Sequence, residues 1–313
     1  MWRFLALRLL EAVPVILGVA SISFILIQFI PGSAAEAILG QHATPDAIAE
    51  LNHKLGLDRP PIVQYLDAMG GLLRGDLGNS VISGAPVVEL VWNRLPVTIS
   101  LALLTTVVSA ALGILLGAIA AARGGVIDRV LTIVSGAGLA IPNFWLGIVA
   151  VLVFAIWLRW LPPTGYVDFG DDPVKWALHL ILPVAVLAVV QIAAIARQTR
   201  TAMLAEFRRD YVRALRASGI SRGRIIWKHA LRNSSGPVVT TLGLQFVGVL
   251  GGSVIIEQVF ALRGIGSLMV ESANARDIPL LQGIVIFSAI IVLAVNLLVD
   301  VFSFVLNPKV RPA

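Results

Sequence analysis

The stretch Val97–Ala122, VTISLALLTTVVSAALGILLGAIAAA, carries no charged side chain from end to end. A bilayer's hydrocarbon core is about 30 Å thick and takes about 20 helical residues to cross. This run is long enough, and it is too uniformly apolar for a helix on a soluble core or for a barrel strand. Five further runs of the same kind surround it, at about Leu9–Ile30, Val130–Leu158, Leu178–Ala196, Pro237–Ile256 and Leu281–Leu306. Pro14, Pro142 and Pro183 fall inside them, which membrane helices tolerate better than soluble ones. The expected fold is an all-α integral membrane protein with six transmembrane helices.

Composition agrees. The 313 residues are 58% apolar and 13% charged, with a mean hydropathy of +0.90. Soluble domains carry about 45–50% and 25%, so the apolar excess cannot be hidden in one or two globular cores. A soluble enzyme and a disordered chain are excluded. With no cysteine there is no disulfide scaffold either. The net charge is +6, which suits nucleic acid or anionic lipid, and the placement of the charges decides between them.

Basic residues favour the cytoplasmic side of a membrane. With the N-terminus inside, the inner segments hold Arg3, Arg8, Arg123, Arg129, Lys309, Arg311 and the ten basic residues between Arg197 and Arg232. The outer segments hold only Lys54, Arg59, Arg74, Arg94, Arg159, Lys175, Arg263 and Arg276, although they are longer. Both termini are therefore expected in the cytoplasm, and lipid rather than nucleic acid is the expected neighbour. Arg3 and Arg8, with Ser33, Ala34 and Ala35 after the first run, also suit a cleaved signal peptide. That run is longer than the usual hydrophobic region of about 7–15 residues, so it is read as a span.

The chain divides into residues 1–96, a first helix with a long outer loop (Pro31–Pro96), and residues 97–313, a five-helix core containing the basic inner loop 197–236. The outer loop is punctuated by Gly and Pro and weakly helical around Pro45–Leu55.

Several chemistries are missing. A phosphate-binding P-loop needs Lys followed by Ser or Thr, and none of Lys54, Lys175, Lys228 and Lys309 is so followed. His42, His53, His179 and His229 have no metal-ligand spacing. Gly252-Ser253-Val254 is the nearest approach to a hydrolase's nucleophile elbow and lacks the closing Gly. No catalytic residue, metal site or cofactor is expected in this chain.

The inner loop carries most of the remaining information. Arg209-Asp210-Tyr211-Val212-Arg213-Ala214-Leu215-Arg216-Ala217-Ser218-Gly219 reads as a short helix with Val212, Leu215 and Gly219 on one side. Gly219 is suited to the left-handed geometry that stops a helix. A second helix opens at Ser221 and runs through His229 and Leu231 to Asn233. On physical grounds alone, such a basic amphipathic pair can simply lie on anionic lipid.

Gly219 followed by His229-x-Leu231 resembles the cytoplasmic loop motif of permease subunits in binding-protein-dependent ABC importers. Tyr-Val-Arg…Arg-Ala-x-Gly…His-Ala-Leu-Arg-Asn is similar to the oligopeptide/dipeptide branch. The ordered set covers nearly the whole chain: Pro31-Gly32, Leu55-Gly56-Leu57-Asp58-Arg59-Pro60, Gln64-Tyr65-Leu66, Gly75-Asp76-Leu77-Gly78 and Arg94-Leu95-Pro96-x-Thr98, then Pro142-x-Phe144-Trp145-Leu146-Gly147, Glu257-x-Val259-Phe260, Gly264-Ile265-Gly266 and Asn296-Leu297-x-Val299-Asp300. The long first outer loop resembles the B-type subunit. Two departures stand out. The motif's leading Glu-Ala-Ala falls on Arg213, Ala214 and Leu215, and Arg263 stands where the family has Pro.

The resemblance implies a type I ABC importer permease fold with a cytoplasmic coupling helix, in a bacterial inner membrane. It implies a second homologous permease (a heterodimer), one or two ATPase subunits that bind ATP and Mg, and an extracytoplasmic substrate-binding protein. Tyr211, Val212, Arg213, Ala214, Leu215, Arg216, Ala217, Gly219, His229 and Leu231 then carry the coupling to the ATPases. Val212, Leu215 and Ala217 would be buried against the partner, and Arg213 and Arg216 would meet acidic rims. For the passage itself, Glu257, Asn143 and Gln245 are the candidates, because polar groups at membrane depth face protein or water. Ion pairing and interhelical hydrogen bonding are the plainer alternatives. Gly113-x-x-x-Gly117 and Gly248-x-x-x-Gly252 suit close helix packing. The branch carries mostly peptides, but also nickel, glutathione, sugars and haem-like cargo. A stand-alone secondary transporter is disfavoured by the lack of an inverted repeat and of a central carboxylate, and a passive scaffold by the ordered loop motifs.

Overall fold

The structure, a computed structural model, describes residues 2–29, 34–40 and 43–306. Pro31, Gly32, Ser33, His42, Lys309 and Arg311 lie outside the described residues. In chain order the helices are α1 (Trp2–Gln28), α2 (Ala34–Leu39), α3 (Pro45–Lys54), α4 (Pro61–Leu73), α5 (Val87–Arg123), α6 (Gly125–Ala140) and α7 (Asn143–Ala150). Then follow α8 (Pro173–Phe207), α9 (Asp210–Ala217), α10 (Arg222–Arg224), α11 (Leu231–Asn233), α12 (Ser235–Val259), α13 (Ile265–Asn274) and α14 (Ile278–Leu306). Two π-helical stretches, Val151–Trp157 and Ile225–Ala230, continue α7 and join α10 to α11.

Among the described residues, five helices are long and apolar enough to cross a bilayer: Ala6–Gln28 within α1, then α5, α8, α12, and Ile278–Phe302 within α14. The run Val130–Leu158 differs from the single helix expected. It breaks into α6 and α7, and the shorter apolar helix Asn143–Trp157 is what remains of the sixth span. The cause is Pro142. Its ring pushes the preceding residue out of the helical region, and Ile141 is extended, at φ −89° and ψ 125°. Pro14, Pro96 and Pro183 are carried inside α1, α5 and α8.

The chain packs as two compact units. The first comprises residues 1–98 and 263–294. Its core joins Val87 and Val91 of α5 to Ile265 and Leu268 of α13 and Leu280 and Ile284 of α14. A side chain at Gly283 would strike Val87, so α14 approaches α5 closely there. Thr98 Oγ1 accepts from the Ile265 amide at 2.8 Å and anchors the start of α13. Asp277, buried ahead of α14, accepts from Ser80 Oγ (2.5 Å) and from the amides of Val81 (3.1 Å), Ile82 (3.4 Å) and Leu280 (3.3 Å). One carboxylate thus caps a span and holds the turn at Ser80–Ile82.

The second unit comprises residues 99–262 and 295–313. Here α8 packs along both α12 and α6. The expected small-residue seam is present on α5. Side chains at Gly113 and Gly117 would strike Ile195 and the Ala196 carbonyl of α8. On α12 the close approach falls elsewhere. Gly252 has nothing within 4 Å of where a Cβ would stand, whereas Gly243 lies against Val299 of α14. Asp172 caps α8 by accepting from the amides of Val174 (3.1 Å) and Lys175 (3.0 Å).

Candidate functional site

The basic loop 197–236 folds as a helix, a reversal and a second helix. α9 ends in the hydrogen-bond pattern that a left-handed residue allows: the Gly219 amide donates to the Arg216 carbonyl (3.0 Å) and the Ile220 amide to Leu215 (3.1 Å). Gly219 sits at φ +74°, where an L side chain is strained. The chain turns there into α10, with Ser221 just ahead of it.

The loop is anchored to the ends of the spans. Met203 of α8, Ala118 and Ala121 of α5 and Ala230 form a small buried core, with Leu204, Phe207, Ile226 and Leu231 packed around it. Arg222 Nη2 donates to the Ala122 carbonyl at 2.5 Å, satisfying one of the free carbonyls at the end of α5. Arg200 of α8 makes a bidentate pair with Asp128 of α6, its Nη2 lying 2.6 Å from Oδ2. Tyr211 Oη donates to Glu206 Oε2 at 2.9 Å, and Arg209 Nε lies 2.9 Å from Oε1 of the same buried carboxylate. Burial pushes the Tyr211 phenol above its ordinary value; Asn233 opposes this and Glu206 reinforces it.

The predicted coupling residues therefore fall into two groups. Val212 is fully buried in this chain's own packing, Leu215, Tyr211 and His229 are half-buried, and Leu231 belongs to the small core. Arg213, Ala214, Arg216, Ala217 and Gly219 are exposed. The side of α9 read from the sequence as the partner-facing one, through Val212 and Leu215, thus faces its own protein. Arg213 pairs with Asp210 at 3.2 Å with both side chains in solvent, a contact worth little. Arg216 and Arg222 line a cavity of about 540 Å³ together with Phe207, Ile220, Ile225 and Ile226.

Of the three pathway candidates, Gln245 and Glu257 lie on α12 and Asn143 opens α7, which packs against α12. Glu257 is fully buried in α12, and Ser253 Oγ, one turn earlier, donates to its Oε1 at 3.2 Å. Gln245 offers its backbone carbonyl to Gln191 Nε2 of α8 at 3.0 Å, the interhelical bond weighed as the plainer reading. Asn143 Oδ1 and Gln191 Oε1 are buried without a partner in this chain. Among the described residues, no group of His, Asp and Glu is placed to hold a metal ion.

Sequence reasoning missed Glu206, Asp128 and the pairing of Arg222 with Ala122. In the sequence, Arg222 counts only among the basic residues of the loop, and the two acids are not singled out. An acid among the many basic residues at the end of a span was the available signal for Glu206.

Residues 113–312 match the family described as "Binding-protein-dependent transport system inner membrane component", and residues 1–102 match its N-terminal counterpart. The chain belongs to this family. This permease is 41% identical over 305 residues to a putative peptide transport system permease protein of Brucella abortus (strain 2308), covering 97% of each chain. It is 35% identical over 315 residues to the oligopeptide transport system permease protein AppB of Bacillus subtilis, covering 99% of this chain and 100% of that one. It is 37% identical over 333 residues to the di/tripeptide transport system permease protein DppB of Pseudomonas aeruginosa, covering 99% of each. Among solved structures, the inward-facing MetNI methionine ABC transporter superposes with a TM-score of 0.52 at 18% identity, covering 71% of this chain and 96% of that one. The fold is that of an ABC importer permease, and the protein is a membrane transport component rather than an enzyme.

Proposed function

We propose that this permease passes peptides into a bacterial cytoplasm as one half of a pathway. The other half is a second, homologous permease. An extracytoplasmic binding protein delivers the cargo, and separate ATPase subunits, which bind the ATP and Mg, drive the cycle by gripping α9. The observation that carries the peptide reading is that relatives 35–41% identical over 97–99% of the chain are named as peptide permeases.

The coupling reading is supported by the free face of α9, where Arg213, Ala214, Arg216 and Ala217 stand exposed ahead of the reversal at Gly219. Small residues let a groove wall come close, while the two guanidiniums suit acidic rims. Behind this face, the buried Val212 and half-buried Leu215 turn into the chain's own packing, α9 lies against the Ile225–Ala230 stretch, and Ala230 with the half-buried Leu231 meets the ends of α5 and α8, so a push is passed to the spans. Coupling energies of about 1–3 kcal/mol suffice to bias a two-state element. Cytoplasmic termini, an inner loop 197–236 and an outer loop 31–96 follow from the distribution of basic residues. Burial of Glu257 against Ser253 favours a packing role, and the orphaned amide oxygen of Asn143 makes it the better pathway candidate.

The test is ATP-dependent uptake of labelled di- and oligopeptides into proteoliposomes holding the complete complex and its binding protein. Uptake that Gly219→Asp abolishes, with the complex still assembled, supports both halves of the reading. Full uptake by that variant removes the coupling role. ATP-dependent uptake of another solute, and not of peptides, removes the substrate.

A further inference from the structure

α4 belongs by sequence to the loop between the first two spans, yet it packs against two spans well inside their ends. Tyr65 Oη lies 2.8 Å from Ser21 Oγ, and its ring meets Phe24 edge-on with centroids 5.5 Å apart. Ser21 precedes the end of α1 at Gln28 by about seven residues, roughly 10 Å at 1.5 Å per residue. Met69 packs with Ala20 and with Ile286, which follows the start of α14 at Ile278 by about eight residues, roughly 12 Å. Two spans of opposite direction give α4 the same depth.

The helix has three sides. Tyr65, Ala68, Met69 and Leu72 face α1 and α14. Gln64 and Asp67 line a cavity of about 310 Å³. Their polarity is answered there: Asp67 lies 2.8 Å from Arg59, and Gln64 Nε2 donates to the carbonyls of Arg59 (2.8 Å) and Leu57 (3.2 Å). The third side carries Ile62, Leu66 and Leu73, which are 62%, 60% and 73% exposed. At 3.6 residues per turn, positions 62, 66 and 73 share one stripe, turned away from Gln64 and Asp67. On α1, Ile22, Ile25 and Leu26 are exposed at span depth as well.

We infer that α4 is sunk in the outer leaflet, with Ile62, Leu66 and Leu73 against phospholipid acyl chains. Backbone at membrane depth must meet its own hydrogen-bonding needs, and a helix does so. Its polar side chains turn to the protein's cavity, and its apolar stripe continues the lipid-facing surface of α1. The inference rests on the reading that α1 and α14 are spans with these ends outside.

The chain has no cysteine, so Ile62→Cys, Leu66→Cys and Leu73→Cys can each carry a nitroxide in the complete complex reconstituted in phosphatidylcholine vesicles. The probes are molecular oxygen, which concentrates in the bilayer, and a water-soluble nickel chelate. At Leu66→Cys the expected result is oxygen accessibility severalfold above that to nickel; Asp46→Cys on α3 should show the reverse. High nickel accessibility at all three stripe positions overturns the inference, because the stripe is then in water. Low accessibility to both probes also overturns it, because protein then covers the stripe. Labelling of Asp46→Cys by a membrane-impermeant maleimide tests the orientation separately. Modification only after permeabilisation overturns the sidedness, whatever the nitroxides report about depth.

Discussion

Gly219 is exposed, and nothing lies within 4 Å of where its Cβ would be, so its requirement is conformational and not spatial. Gly219→Ala should lower stability by about 1 kcal/mol through the left-handed geometry alone. Gly219→Asn, which tolerates that geometry, should lose less, and denaturant titration in detergent measures both. Asp277 is the opposite case. Asp277→Ala removes one acceptor from four donors at the head of α14 and should cost about 2–3 kcal/mol in the same assay. In the outer loop, His53 Nδ1 lies 2.7 Å from Asp58 Oδ2, and the hydrogen bond and charge of Asp58 raise the imidazole's pKa. A raised pKa means that the pair holds at low pH and is lost as pH rises through the shifted value. The His53 NMR titration midpoint should therefore lie above that of an ordinary histidine, and Asp58→Asn should bring it back.

Hydropathy alone located the spans, because about 20 apolar residues in a row have few other uses. It could not show that the run Val130–Leu158 breaks. Proline is tolerated in α1, α5 and α8, and only the local backbone decides that Ile141 becomes extended. The short helix α9 was legible in its bounds and its stop at Gly219, but not in its facing. Val212 turns inward, on a helix that lies against the chain's own Ile225–Ala230 stretch, and periodicity cannot tell such a bed apart from a partner's groove. Gly113 and Gly117 were readable as a packing seam, Gly248 and Gly252 were not realised as one within this chain, and the packing of α4 against α1 and α14 was not read from the sequence. The α5–α8 seam has its own expectation. Gly117→Leu would drive a side chain into Ala196 and Thr199, costing about 1–3 kcal/mol by overpacking, which thermal unfolding in detergent would register.

At the scale of the whole molecule, the chain supplies span ends, a basic loop tied to them, and a turn at Ser80–Ile82 held by Asp277. Among its lysines none sits in a phosphate-binding motif. The division of labour proposed above therefore gives the energy source to other subunits. The most direct measurement is ATP hydrolysis by the purified chain alone and by the complete complex, in the same lipid vesicles. The chain alone should show no hydrolysis. The complex should show hydrolysis stimulated by the loaded binding protein, with Gly219→Asp abolishing the stimulation while leaving the complex assembled. Hydrolysis by the chain alone, or undiminished stimulation in the variant, would contradict that division of labour.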